Sequence, residues 1–167
     1  MKVILYMAIS VNGMIAKIDD DTPWSDEELE SYGNMVQKIG NLIIGRKTYD
    51  VTDKSDFESM GNPFVVVVTS SKDLQDKERT KFVDSVEKAI KLLKGQEFSE
   101  VLVAGGGKLN SSFMKANLVD EIYLDIEPLV FGEGIPLFAP GNFEHKLKLV
   151  EINKLSEQTI QLHYKVD

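Results

Sequence analysis

The chain has 167 residues, 43% of them hydrophobic, and no cysteine. That length encloses a full core as one domain without disulfide or metal support, and the missing cysteines exclude thiolate metal sites and cysteine nucleophiles. The 27 acidic and 19 basic residues leave a net charge of −8, and the only arginines are Arg46 and Arg79. A nucleic-acid binder shows the opposite balance, so any anionic ligand needs a local positive spot.

Lys2 to Ile9 is a short, nearly continuous apolar run, which predicts a strand buried on both faces. It is too short for a signal peptide or a membrane span, so the expectation is a cytoplasmic protein with no membrane contact. Ser10-Val-Asn12-Gly13 turns, and an acidic loop, Asp19 to Pro23, leads to Trp24. Ser25 to Glu28 has the spacing of a capping box, and the helix it opens runs to about Ile39, with Leu29, Tyr32, Val36 and Ile39 on one stripe. Its acidic first turn is read as helix stabilisation.

Asn41 to Ile44 reads as a strand that breaks at Gly45-Arg46-Lys47-Thr48. Cations at the start of the following helix oppose its dipole, and a bound anion would cancel that penalty. Phe64 to Val68 is the most β-prone segment and ends in Thr69-Ser70-Ser71-Lys72. Lys81 to Val83 is a brief strand, and Asp84 to Lys94 is a capped helix. Glu100 to Val103 then runs into Gly105-Gly106-Gly107-Lys108 and a helix from about Leu109. Asp120 to Glu127 is a strand with Tyr123, Asp125 and Glu127 on one side, stopped by Pro128. After a Gly/Pro-rich loop, His145 to Ile152 and Thr159 to Val166 form an antiparallel terminal hairpin with one wet face. His145 and His163 lack metal-ligand spacing and are read as surface residues.

The triglycine stretch fails both strong phosphate motifs. A P-loop requires a glycine where Leu102 stands, and G-x-G-x-x-G requires one where Asn110 stands. Alone it is equally a plain strand-to-helix turn or a ligand site. Three such breaks at strand ends, with bare amides, hydroxyls and the scarce cations, favour an extended phosphorylated ligand across the carboxyl ends of the sheet. The expected architecture is a single α/β domain with a mixed, mostly parallel sheet of about eight strands, about four helices and a C-terminal antiparallel hairpin.

The order of Met7-Ala8-Ile9-Ser10-Val-Asn12-Gly13-Met-Ile15-Ala16, Pro23-Trp24, Ile43-Ile44-Gly45-Arg46-Lys47-Thr48-Tyr49, Val67-Val68-Thr69-Ser70, Val103-Ala104-Gly105-Gly106-Gly107-Lys108 and Ile122-Tyr123-Leu124 resembles the dihydrofolate reductase-like family, closest to the reductase domain of riboflavin biosynthesis. The resemblance covers nearly the whole chain. It implies NADPH as cofactor, with its 2′-phosphate against Arg46, Lys47, Thr48, Thr69, Ser70 and Ser71, and its pyrophosphate at a cis Gly105-Gly106 peptide, with Gly107, Lys108 and Leu109 following. It also implies cofactor contacts from Ala8, Ile15 and Gly45, and a substrate region bordered by Met7, Asn12, Leu29, Val103 and Asp125.

Folate reductases carry an acid five positions after the Trp. Here that position is Leu29, with Glu28 and Glu30 directed elsewhere on the helix. The implied activity is therefore hydride transfer to a small heterocyclic substrate, as in 5-amino-6-(5-phosphoribosylamino)uracil reductase. A pterin reductase and a non-catalytic NADPH-binding protein are the alternatives. Asp125 is the first candidate for the missing acid and Glu127 the second, because burial there would raise a carboxyl pKa. The relatives also imply a homodimer, with Phe131 to Phe138 as its contact.

Overall fold

The computed structural model describes residues 1–167. The chain runs β1 (Lys2–Ser10), β2 (Met14–Lys17), α1 (Asp26–Ile39), β3 (Asn41–Gly45), α2 (Arg46–Val51), α3 (Lys54–Ser59), β4 (Phe64–Val68) and β5 (Thr80–Val83). It continues α4 (Val86–Gly95), β6 (Glu100–Val103), α5 (Gly107–Lys115), β7 (Glu121–Glu127), β8 (Gly134–Pro136), β9 (Leu147–Lys154) and β10 (Ile160–Val166). Eight strands form one sheet in the order β5-β4-β3-β6-β1-β7-β10-β9, and β2 and β8 form a separate pair. From β5 to β7 every pairing is parallel, and β10 then runs antiparallel to both β7 and β9. The expected single α/β domain is therefore the fold, with α3 and the β2–β8 pair added to the elements foreseen.

Parallel strands need cover on both faces, which is why β1, β3 and β4 read as unbroken apolar runs. Leu5, Ile43, Val66 and Val103 pack under α4 and α5 around Leu93 and Phe113. Tyr6, Ile44, Val67 and Leu102 pack on the opposite face under Val36 and Ile39 of α1. The sheet is thus enclosed at its centre.

The first half of β10 departs from the expected pattern, while Tyr164 and Val166 pack on the core and Lys165 is exposed. Gln161 and His163 are buried, whereas Ile160 is 39% exposed. The reason is where the helices lie: the polar side of β10 faces Ser31 of α1 and the polar side chains of β7, and Gln161 donates hydrogen bonds to Ser31 and Asp125 there while His163 pairs with Glu121. His163 stacks on Tyr123 at 4.1 Å between centroids and places Nε2 3.2 Å from Glu121, so it is no surface residue. His145 is partly buried and pairs Nε2 with the Met114 carbonyl.

The Phe131 to Phe138 segment folds back on its own chain. β8 pairs with β2, the Leu137 amide donates to the Gly13 carbonyl, and the side chains of Asn110 and Ser111 donate to the carbonyls of Leu137 and Ala139. This approach explains Gly107, since a Cβ there would stand 2.4 Å from the Pro136 carbonyl oxygen. These contacts all lie within one chain.

Candidate active site

A cavity of about 1010 Å³ opens at the carboxyl ends of β3, β4 and β6. One end is built for an anion. Arg46, Lys47 and Thr48 approach from α2, Thr69 and Ser70 follow β4, and Gly106, Gly107 and Lys108 open α5. Gly106, the N-cap of α5, offers no side chain to cap it, and no acid occupies the first turn, so the leading amides point outward with the positive end of the helix dipole. The Gly105–Gly106 peptide is cis, and the Gly45 amide donates to the Gly105 carbonyl, tying the two glycine breaks together. A Cβ on Gly106 would lie 3.8 Å from both Thr48 Oγ1 and Ile15 Cδ1, which puts bare backbone between a hydroxyl and an apolar wall.

Two of the cations here, Arg46 and Lys47, are held by carboxylates of the same chain. Asp50 accepts from Arg46 Nε with both oxygens, at 2.7 and 2.8 Å, and leaves the terminal guanidinium nitrogens unengaged. Lys47 Nζ lies 2.8 Å from Asp20, which reaches over from the loop after β2.

The other end is walled by Met7 and Ala8 of β1, Trp24, Leu29, Tyr32, Ile44 and Ala104. The one buried carboxyl that lines the cavity is Glu28, only 3% exposed and without any hydrogen bond or ion pair from its side chain to the protein. Removal from water pushes its pKa up to about 8, and the negative neighbours Asp125 and Glu127 add to that.

Capping-box spacing alone would turn Glu28 back toward the helix start. Ser25 does cap α1, its Oγ accepting from the Glu28 amide at 3.3 Å, but the return bond is made by Glu127, which accepts from the Ser25 amide and hydroxyl at 3.2 and 2.8 Å. The reading of Glu28 as directed elsewhere is therefore corrected. Leu29, 52% exposed, also lines the cavity but carries no proton. The missed signal was periodicity: Glu28, Tyr32, Val36 and Ile39 share the inward stripe at three- and four-residue steps.

Asp125 and Glu127 lie behind this wall and do not reach the cavity. Asp125 is fully buried; Tyr6 donates to one of its oxygens and Gln161 to the other at 2.8 Å. Burial pushes its pKa up to about 6 against the pull of those hydrogen bonds. Glu127 is held by Ser25 and by the Thr159 hydroxyl at 3.1 Å. Their expected contact with substrate is corrected to a supporting position.

Four further expected residues stand outside the cavity. Asn12 is consumed by Ser10 and by both backbone groups of Phe131, and Val103 is sealed in the core under α5. Ser71 is exposed, its amide closing a turn on the Thr69 hydroxyl at 3.1 Å. Gly105 shapes the turn without lining the cavity, whereas Met7, Ala8, Ile15, Gly45 and Leu109 line it as expected.

The family model described as RibD C-terminal domain matches residues 1–161. The uncharacterized protein YwjB of Bacillus subtilis (strain 168) is 36% identical over 169 residues, covering 98% of this chain and 97% of its own. Among solved structures, the diaminohydroxyphosphoribosylaminopyrimidine deaminase/5-amino-6-(5-phosphoribosylamino)uracil reductase of Thermotoga maritima superposes with a TM-score of 0.78 at 20% identity, over 99% of this chain and 56% of that one. A pyrimidine reductase-like protein of Corynebacterium diphtheriae gives a TM-score of 0.76 at 14% identity, over 99% and 92%. At these identities the two structures speak for the fold.

Proposed function

Since the chain belongs to the RibD C-terminal domain family, we propose that it is an NADPH-dependent reductase of a small heterocyclic substrate, of the class that reduces 5-amino-6-(5-phosphoribosylamino)uracil. The observation that carries this reading is one continuous cavity whose first end gathers amides, hydroxyls and cations and whose second is apolar with a single unpartnered carboxyl.

The residues present fit NADPH. Bare amides at Gly106 and Gly107 and the Thr48 hydroxyl suit the pyrophosphate, while Arg46, Lys47, Thr69 and Ser70 suit the terminal 2′-phosphate, for which a guanidinium is the better cation. Ala8 and Ile15 supply the apolar wall that a nicotinamide ring requires. When bound, the cofactor supplies the hydride; the chain's part is to bind, orient and keep water away from it.

Asp20 and Asp50 have a role in this reading. They neutralise Lys47 and Arg46 in the free protein, and an incoming phosphate competes for the same cations. Trp24, the single tryptophan of the chain, lines the cavity and stacks on Phe131. Its fluorescence therefore reports on ligand entry.

The non-catalytic alternative was motivated by the absence of a carboxyl at position 29. Glu28 supplies one from the preceding residue and weakens that motive. A pterin reductase remains the second reading, favoured by the presence of both Trp24 and a helix carboxyl, Glu28, in the cavity lining. Oxidation of NADPH with 5-amino-6-(5-phosphoribosylamino)uracil, run beside dihydrofolate, separates them. Turnover of the first compound supports the proposal, and turnover of dihydrofolate alone replaces it by the second.

A further inference from the structure

The apolar end of the cavity carries no cationic side chain. The cations that line the cavity are Arg46, Lys47 and Lys108, and all three stand at the anion end, at the starts of α2 and α5. Arg46 and Lys47 already face Asp50 and Asp20, which leaves Lys108 as the one lining cation without a carboxylate. Nearby on β2 and α3, Lys17 and Lys54 are paired outside the cavity with Asp21 and Glu58, and Lys38 of α1 does not line it. Carboxyls are distributed the other way. Glu28 belongs to the apolar end, Asp125 and Glu127 stand behind it, and Asp56 lines the cavity from α3.

The rest of that wall is apolar or aromatic. Trp24, Leu29 and Tyr32 are continued by Val51 at the end of α2 and by Phe57 and Met60 of α3. Met60 packs on α1, its Cγ 3.9 Å from where a Cβ on Gly33 would stand. Leu29 is 52% and Val51 61% exposed, so apolar side chains reach out to the mouth as well. Rings and a thioether of this kind give a planar ligand a large contact area without calling for charge.

A site that grips a phosphate supplies guanidinium, ammonium or bare helix amides. Here those groups lie at the opposite end, where the cofactor takes them up: its 2′-phosphate alone brings about 1.5 to 2 negative charges. A second phosphate would exchange its hydration for carboxyls and apolar rings, a desolvation that nothing repays. We propose that the substrate of this site is a neutral heterocycle whose arm carries no phosphate, held by the apolar and aromatic wall with its arm leaving past the mouth at Leu29. This assignment rests on the reductase reading above and narrows its substrate to the ribosyl compound in preference to its phosphate. The phosphorylated compound enters only with its phosphate left in solvent, where it adds repulsion and no contact.

The test compares 5-amino-6-(ribosylamino)uracil with 5-amino-6-(5-phosphoribosylamino)uracil. In Trp24 fluorescence titrations of the protein saturated with NADP+, the unphosphorylated compound is expected to bind at least as tightly as the phosphorylated one. In NADPH oxidation its kcat/KM is expected to be at least as high. Leu29→Lys, which sets a cation at the exposed mouth, is expected to move both ratios about 10-fold toward the phosphorylated compound. Tighter binding or a higher kcat/KM of the phosphorylated compound in the parent, or ratios that Leu29→Lys leaves unchanged, overturn the proposal. If neither compound is reduced, the reductase reading fails by itself and the titrations decide. Binding of the unphosphorylated compound at least as tight as that of the phosphorylated one then supports the assignment, and tighter binding of the phosphorylated one, or no binding of either, overturns it.

Discussion

The amide and hydroxyl of Ser25 both donate to the carboxylate of Glu127, at 3.2 and 2.8 Å, across 102 residues of sequence. A helix start is thereby capped from the end of a distant strand, and the Glu28 side chain is released into the cavity. Glu127→Ala removes this cap and the Thr159 bond together. Urea unfolding should show a loss of about 2 kcal/mol or more. Stability equal to the parent's would mean that Glu127 does not anchor α1.

The acid at Glu28 predicts a pH dependence of stability. Its pKa is raised from 4.5 to about 8 in the folded protein. Between those values the folded state binds the proton that the unfolded chain has released, so stability falls as pH rises through the window and levels off above it. The slope is at most about 1.4 kcal/mol per pH unit for one group. Asp125, raised to about 6, adds only to the lower part. Between pH 6 and 8 the melting temperature of Glu28→Gln should therefore change less than that of the parent; parallel curves would refute it.

Arg46 should govern the choice of cofactor. Losing one charge-assisted contact costs about 1.5 to 3 kcal/mol, which is on the order of 10- to 100-fold in affinity. Trp24 fluorescence titrations should show NADPH binding more tightly than NADH, with Arg46→Ala erasing most of the difference. A ratio untouched by the substitution would remove Arg46 from the 2′-phosphate.

For the homodimer that the resemblance implies, we propose the terminal hairpin as a contact surface in place of Phe131 to Phe138. β9 is an unpaired edge, and Leu149, Val150, Ile152 and Ile160 are exposed around it, the arrangement that invites a second chain. Sedimentation velocity should give a dimer for the parent and a monomer for Ile152→Asp. A monomeric parent would discard the dimer, and a dimeric variant would move it to another surface.

The sheet, its order of helices and the anion end of the cavity were legible because each follows from local chemistry. Apolar runs such as Phe64 to Val68 mark buried strands, and the breaks at Gly45, Thr69 and Gly105 mark their carboxyl ends. The acid end was hidden because it depends on contacts distant in sequence. Capping-box spacing at Ser25 does not say that Glu127 will make the second bond. Alternation along β10 reveals two faces, but only the position of α1 decides that the side with Gln161 and His163 is the inner one. Asp125 was rightly expected to be perturbed by burial, yet Tyr6 and Gln161 fill the space through which it would have met a substrate.

The most direct test of the reductase account is isotope transfer. The protein is incubated with NADPH carrying deuterium at the reactive nicotinamide carbon and with 5-amino-6-(5-phosphoribosylamino)uracil, and the product is weighed by mass spectrometry. The account predicts a reduced product that carries one deuterium from the cofactor, bound to the carbon that has been reduced. Saturable NADPH binding with no deuterium in any product would contradict it.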